Sequence, residues 1–233
     1  MATTTLAELA DRAQVMLNDT AAGTWPQATV EGWIKEAIRD YSQTFPMNAR
    51  ITVAVSGASP GHVFDLYTGI IAVTLVEYPD GQDPPVYLKR RSRKHPSFYG
   101  TPGYYDVWMT EDQTSEPQLF LSVEPSDGED IGVEVTKHHT VPASSGSDLT
   151  VPMHHEGILL LYTLWAAFRE RLATEEQDPD TTLSGAVTLL QQLVKGAEQA
   201  EAEYRRALRD AKANVAPGGM TGPWQADKHD PIY

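Results

Sequence analysis

The chain has 233 residues, 41% hydrophobic and 21% charged, enough apolar content to pack one large domain or two small ones. It carries 32 Asp and Glu against 18 Lys and Arg, a net charge of -14, and an acidic body of this kind repels nucleic acid and anionic membrane at long range. With no cysteine, disulfides, thiolate metal sites and cysteine nucleophiles are excluded.

The opening "MATTTLAELADRAQ" lacks a basic start followed by an apolar stretch, so it does not read as a secretory signal, and the chain is expected to be made and kept in the cytoplasm or to leave the cell by a non-secretory route. No apolar run approaches the roughly 20 residues that cross a bilayer. Thr5 with Glu8 three residues on forms a capping-box signature for a first helix, with Leu6, Leu9, Ala13, Met16 and Leu17 on one face. "NDTAAGTWPQ" breaks that pattern. A second helix carries Val30, Trp33, Ile34, Ala37, Ile38 and Tyr41 at helical spacing, with Pro26 suited to its first turn and Pro46 closing it.

From about residue 48 to 141 the hydrophobic period changes from 3.6 to two. "RITVAVS", "HVFDLY", "IIAVTLVEY", "PVYLKR", "YYDVWMT", "QLFLSVE" and "DIGVEVTKHH" read as short strands, with "YPDG" and "PSDGED" as turns between them. They predict an inserted antiparallel sandwich or barrel. "TVPASSGSDLTVP" reads as a linker back to helix.

"MHHEGILLLYTLWAAFRERL" predicts a third helix with Ile158, Leu161, Leu164, Trp165, Phe168 and Leu172 on a broad apolar stripe, ended by the carboxylate-rich "ATEEQDPD". A fourth helix is predicted from about 182 to 212, about 45 Å long, with Leu183, Ala186, Leu190, Leu193, Val194, Ala197, Tyr204 and Leu208 on its apolar side. Beyond Ala202 it offers little apolar surface, so that end is expected to project or to meet a neighbouring subunit. The tail "ANVAPGGMTGPWQADKHDPIY" is too rich in Pro and Gly for a core element and reads as a docking arm anchored by Trp224, Ile232 and Tyr233, the alternative being that it folds back on its own domain. The expected organisation is therefore α+β. Residues 1–47 and 142–212 supply two N-terminal and two C-terminal helices of one bundle, 48–141 the inserted β domain, and 213–233 the extended arm. Trp33, Ile34, Trp165 and Phe168 are the expected bundle core.

Chemistry is sparse. No phosphate-cradling glycine loop occurs, and "SGASPG", although it contains the spacing G-x-S-x-G, reads as a turn. His138 and His139 end a strand while His154, His155 and Glu156 open a helix. Adjacent histidines point in different directions, "HHE" is not HExxH, and Glu156 suits the positive end of a helix dipole. A metal-dependent hydrolase around His139, His154 and His155 is the remote alternative, and no cofactor or metal is expected.

The strongest local signal is "YLKRRSRKHPSFYG". Removing Lys89, Arg90, Arg91, Arg93 and Lys94 leaves 13 basic against 32 acidic residues, a balance of -19. A basic patch in so acidic a chain is either a solvated loop or a contact with one of two natural partners. One is carboxylates on another subunit or protein, where a repeated network sets register and orientation. The other is a nucleic-acid backbone, contacted by a module spanning residues 89–99 whose aromatics stack.

The layout as a whole resembles the head-to-tail connector (adaptor) proteins of tailed bacteriophages. In "TWPQATVEGWIKEAIRDY", Trp25, Val30, Trp33, Ile34 and Ala37 occupy the places of that family's W-[ST]-x-x-x-[LIV]-x-x-[WY]-[IL]-x-x-[AG] pattern. Pro26 replaces the usual capping Ser or Thr, so the cap must come from elsewhere. "GTPGYYDVW" resembles a G-x-P-x-Y turn of the β insertion, and "VPMHHEGILLLYTLWAAF" resembles the return helix. The resemblance implies a structural virion protein without enzymatic activity. It implies a homo-oligomeric ring, typically of twelve copies, docked under the portal protein, with the arm reaching into the portal. The β domain would meet the next tail component or the neighbouring subunit. DNA would pass through without specific binding, favoured by negative channel walls, and no membrane is involved. The site would be the head-tail interface of the virion, reached from the host cytoplasm during assembly.

Overall fold

A computed structural model describes residues 4–57, 61–67, 69–108, 116–177 and 186–214, the side chains at 176–177, 186–189 and 214 excepted. Its four helices and seven strands in two sheets make an α+β fold. The chain divides into two compact units. One comprises the described residues within Met1–Phe45 and Thr140–Tyr233, the other those within Pro46–His139.

In the helical unit, α1 (Leu6–Met16) begins at a complete capping box. Thr5 accepts from the Glu8 N–H, and the Glu8 carboxylate accepts from the Thr5 N–H at 2.8 Å. Its buried line is Leu6, Leu9, Ala10 and Ala13. Met16, expected on that face, is exposed, because the line continues four residues on from Ala13 to Leu17, which packs on the core. α2 (Gln27–Thr44) buries its whole predicted stripe, Val30, Trp33, Ile34, Ala37, Ile38 and Tyr41. Pro26 stands at its cap and makes no side-chain bond. The preceding turn is instead gathered by Asp19, whose carboxylate accepts the N–H groups of Gly23, Thr24 and Trp25, the last at 2.6 Å. The Trp25 N–H, ahead of those of Thr24 and Gly23, holds the Asp19 pKa below its ordinary value against the effect of burial. Trp25 then meets Trp33 edge-on at 5.3 Å.

The stretch 140–152 is more than a linker. Leu149 and Val151 are buried in the bundle core, and the Leu6 and Ala7 N–H groups donate to the Ser147 and Ser145 carbonyls, satisfying first-turn donors of α1. α3 (Glu156–Gln177) takes in Glu175 and Glu176, while Asp178 and Asp180 lie outside the described residues. The deepest residues on it are Glu156, Leu159, Leu160, Thr163 and Ala167, with Ile158. Leu161, Leu164, Trp165, Phe168 and Leu172 are only partly buried, so the predicted stripe is rotated from the line of deepest burial. The apolar arc is wide because α3 packs on α1 and α2 as well as along α4 (Ala186–Asn214).

α4 buries Leu193, Ala197, Ala200 and Tyr204, while Val194 is exposed. The C-terminal half of α4 does not project. Tyr204 sits in the bundle core, with Ala207, Leu208 and Ala211 packed against it. Small alanines let the helix approach closely, and the Tyr204 hydroxyl donates to the Asp40 carboxylate of α2. Burial first, and that carboxylate second, push the Tyr204 pKa well above the ordinary phenol value. At the other end of the α3–α4 hairpin the helices touch through Phe168 and Gly196, where an added Cβ would lie 3.1 Å from the phenylalanine ring.

In the β unit, β1 (Met47–Val53), β7 (Ile131–Lys137) and β3 (Ile70–Glu77) form an antiparallel sheet in that order. The second sheet runs β2 (Val63–Asp65), β6 (Gln118–Leu121), β5 (Tyr104–Trp108) and β4 (Lys89–Arg90). It is mixed, because β4 lies parallel to β5, a correction to the all-antiparallel expectation. The long excursion between them, residues 91–103, returns the chain in the direction a hairpin could not. "PVYLKR" shrinks to two strand residues, Lys89 and Arg90. The segment nonetheless joins the sheets. Its first half exchanges bonds with the end of β3 (Tyr78 N–H to the Val86 carbonyl, Leu88 N–H to the Val76 carbonyl), and its second half donates to the Gly103 and Tyr105 carbonyls. Val55, Val73, Val76, Tyr105, Leu119, Leu121, Ile131 and Val133 build one core from both sheets. Outside it, Arg50 donates to the Glu77 and Asp80 carboxylates across Gly132. A Cβ on Gly132 would fall 2.5 Å from Asp80 Oδ1 and 2.7 Å from Arg50 Nη2, so any larger residue here would push the ends of those two side chains aside.

Candidate assembly interface

The five basic residues within 87–100 separate into two kinds. Residues 91–103 lie over one face of the β5–β6 pair and close it. Phe98 is fully buried, Phe120 nearly so, and the Gly100 N–H donates to the Ser122 carbonyl. Arg93 is part of that closure. Its N–H donates to Asp106 at 2.8 Å, and its guanidinium lies 4.2 Å from the Trp108 ring centre and 4.1 Å from that of Phe120. Arg91 lies 4.6 Å over Tyr104. Each contact is a cation–π interaction on the order of 0.5–1 kcal/mol at partly exposed sites. Lys89, Arg90 and Lys94 are exposed, and none makes an ion pair among the described residues. Tyr87, Tyr99 and Trp108, each about half exposed, belong to the same stretch of the β unit. Sequence reasoning found the patch but missed that two of its cations hold the fold and three face outward. The alternation of Arg with aromatics was the available signal.

The helical unit places the expected core residues unequally. Trp33 and Ile34 are buried, whereas Trp165 and Phe168 are partly exposed at the α3–α4 contact. Trp165 lies parallel to Tyr204 at 6.4 Å and edge-on to Tyr162 at 5.3 Å. Trp165 and Tyr204 line a groove of about 770 Å³ between α2, α3 and the C-terminal half of α4, with Asp40 on one bank and Arg205, Arg209 and Lys212 on the other. Arg205 pairs with Glu201 at 2.5 Å, while Arg209 and Lys212 make no ion pair among the described residues. The sequence reading overlooked this second basic run, "RRALRDAK", which the overall acidity masks.

His155 Nδ1 hydrogen-bonds the Tyr41 hydroxyl at 2.5 Å, and His154 packs beside it with ring centres 4.2 Å apart. Burial pushes the Tyr41 pKa up to about 12. His139 is buried in the β unit. Among the described residues no group of three or more His, Cys, Asp or Glu is disposed to hold a metal ion. Glu156, at the first turn of α3, is buried and accepts from Arg12 at 2.5 Å. No described helix is long and apolar enough to cross a membrane. Trp224, Ile232 and Tyr233 lie outside the described residues.

No curated protein matches the chain. Its sequence does match the family described as SU10 adaptor protein, over residues 4–225. That stretch takes in both compact units, with the Trp25–Ala37 segment, the 91–103 closure and the α3–α4 hairpin. The chain therefore belongs to the SU10 adaptor protein family, structural adaptors of the bacteriophage head-tail junction.

Proposed function

We propose that copies of this chain form a ring between portal and tail, twelve in number as the family resemblance implies, leaving a passage for DNA and performing no chemistry of their own. Family membership over residues 4–225 is the observation that carries this reading, and it supports association with other head and tail proteins in the virion. Lys89, Arg90 and Lys94 are the cations that meet carboxylates of the neighbouring subunit, with Arg91 and Arg93 holding their loop in place. Trp224, Ile232 and Tyr233 anchor the arm on the portal, the β unit faces the next tail component or the adjacent copy, and the excess of acidic residues keeps the passage from binding DNA. Assembly takes place in the host cytoplasm.

The decisive measurement is the native mass of the purified protein with and without portal. A ring that forms on the portal is the expected result; a chain that stays monomeric with portal present overturns the proposal. Charge reversal of Arg90 and Lys94 together is expected to abolish the ring and leave the fold intact. The exposed cations beside Tyr99 and Trp108 also suit a nucleic-acid backbone. Steeply salt-dependent DNA binding by the isolated chain, lost in the same variant, would favour that second reading.

A further inference from the structure

The groove between α2, α3 and α4 offers an aromatic floor, Trp165 and Tyr204, beside two cations, Arg209 and Lys212, that no described carboxylate neutralises. Concave apolar surface with a few polar groups on its rim is what holds a single large side chain of a peptide. The chain contains a matching peptide. Residues 215–233 carry one tryptophan, Trp224, followed by Asp227 and Asp230 with Lys228 between them. The aromatic residue thus precedes the carboxylates by three and six positions, and the two cations of the rim stand three residues apart on the last turns of α4.

Chain length favours the same molecule over a second copy. The segment leaves α4 at Asn214, two residues past Lys212. From Lys212 back to Glu201, the far end of the groove on α4, is about 16 Å along the helix. Residues 215–224 span up to about 35 Å when extended, and Pro217, Gly218 and Gly219 are residues that reverse a chain. The family match runs through Trp224 and stops at residue 225. The matched region therefore includes the aromatic residue and excludes the last eight positions.

We infer that Trp224 docks in the α2–α3–α4 groove of its own chain, with Asp227 and Asp230 against Arg209 and Lys212. This rests on the reading of 213–233 as an arm and replaces the portal anchor proposed for Trp224 with an anchor on its own bundle. The root of the arm is then tied to the bundle, and the nine residues after Trp224, which include Ile232 and Tyr233, are the part that reaches a partner. Their span is about 30 Å, against about 65 Å for the whole segment 215–233.

The experiment uses the full chain without portal. Chymotryptic cleavage after Trp224 is followed by mass spectrometry, with helix circular dichroism to check that each variant is folded. Docking is expected to slow cleavage by roughly tenfold relative to the R209E/K212E variant, because cleavage needs the arm released. Combining that variant with D227K/D230K is expected to restore protection. Ala202→Trp, which fills the groove from an exposed helical position, is expected to abolish it. Equal cleavage in all four proteins overturns the inference. So does protection that appears only at concentrations where the mass shows dimers, because the occupant would then be a second copy. Failure here leaves portal binding through Ile232 and Tyr233 to be decided by the native-mass measurement. Loss of portal binding in that measurement likewise leaves Trp224 docking standing.

Discussion

The Arg12–Glu156 pair gives the sharpest test of what holds the helical unit together. Its members are unequally placed: the Glu156 side chain is 3% exposed and that of Arg12 is 51% exposed. Arg12→Met leaves a carboxylate buried at the start of α3. Removing one partner of a fully buried pair costs about 3–5 kcal/mol. The helix N-terminus offsets up to about 1 kcal/mol of this, and solvent screening of the half-exposed arginine lowers what the pair was worth. The expected loss is about 2–3 kcal/mol. Glu156→Gln keeps the shape and an acceptor for Arg12, and the guanidinium it strands is already half in water, so the expected loss is about 1 kcal/mol. The double variant should recover about 1 kcal/mol relative to the sum of the two. Urea unfolding followed by helix circular dichroism reads the helical unit, with an independent probe for the β unit because two units need not unfold as one. If Glu156→Gln costs as much as Arg12→Met, the asymmetry argument is wrong.

Three further outcomes follow from the geometry. Gly132→Ala is expected to destabilise the β unit by up to about 1 kcal/mol by pushing the ends of Asp80 and Arg50 apart, read as a shift of its denaturation midpoint. Asp19 has a folded pKa below its unfolded value near 3.8, so its contribution is present above that value and is lost as pH falls through the folded pKa. Asp19→Asn should flatten the acid limb of the stability–pH profile. Arg93→Ala is expected to cost about 1–2 kcal/mol by removing a guanidinium packed on two rings. Faster hydrogen exchange should appear at Phe98 and Gly100, whose closure it supports.

The α2 stripe was legible in full because a helix packed on one side displays its period directly. The α3 stripe was not. Leu159, Leu160 and Ala167 lie deeper than Trp165 and Phe168 because α3 is covered from several directions, and period alone does not rank depth within a wide apolar arc. Tyr204 was visible as an apolar position, but its seat in the core depends on Asp40, a residue 164 positions away. The same holds for Arg50, Glu77, Asp80 and Gly132. Each is ordinary in sequence, and their meeting is a product of strand register. Of the candidate assembly surface, the cations were legible by charge. Their division into packed Arg91 and Arg93 and outward Lys89, Arg90 and Lys94 was hidden, because it turns on which rings the 91–103 excursion covers.

The segment 86–91 is hydrogen-bonded to one sheet through its first half and to the other through its second. Arg90 therefore projects from backbone clamped at both ends, and Lys94 follows a turn fixed by the Arg93–Asp106 bond. Charges mounted this way are presented in a fixed pattern before any partner arrives. Little backbone freedom remains to be surrendered on contact, so a few modest attractions can add up to a geometrically selective joint.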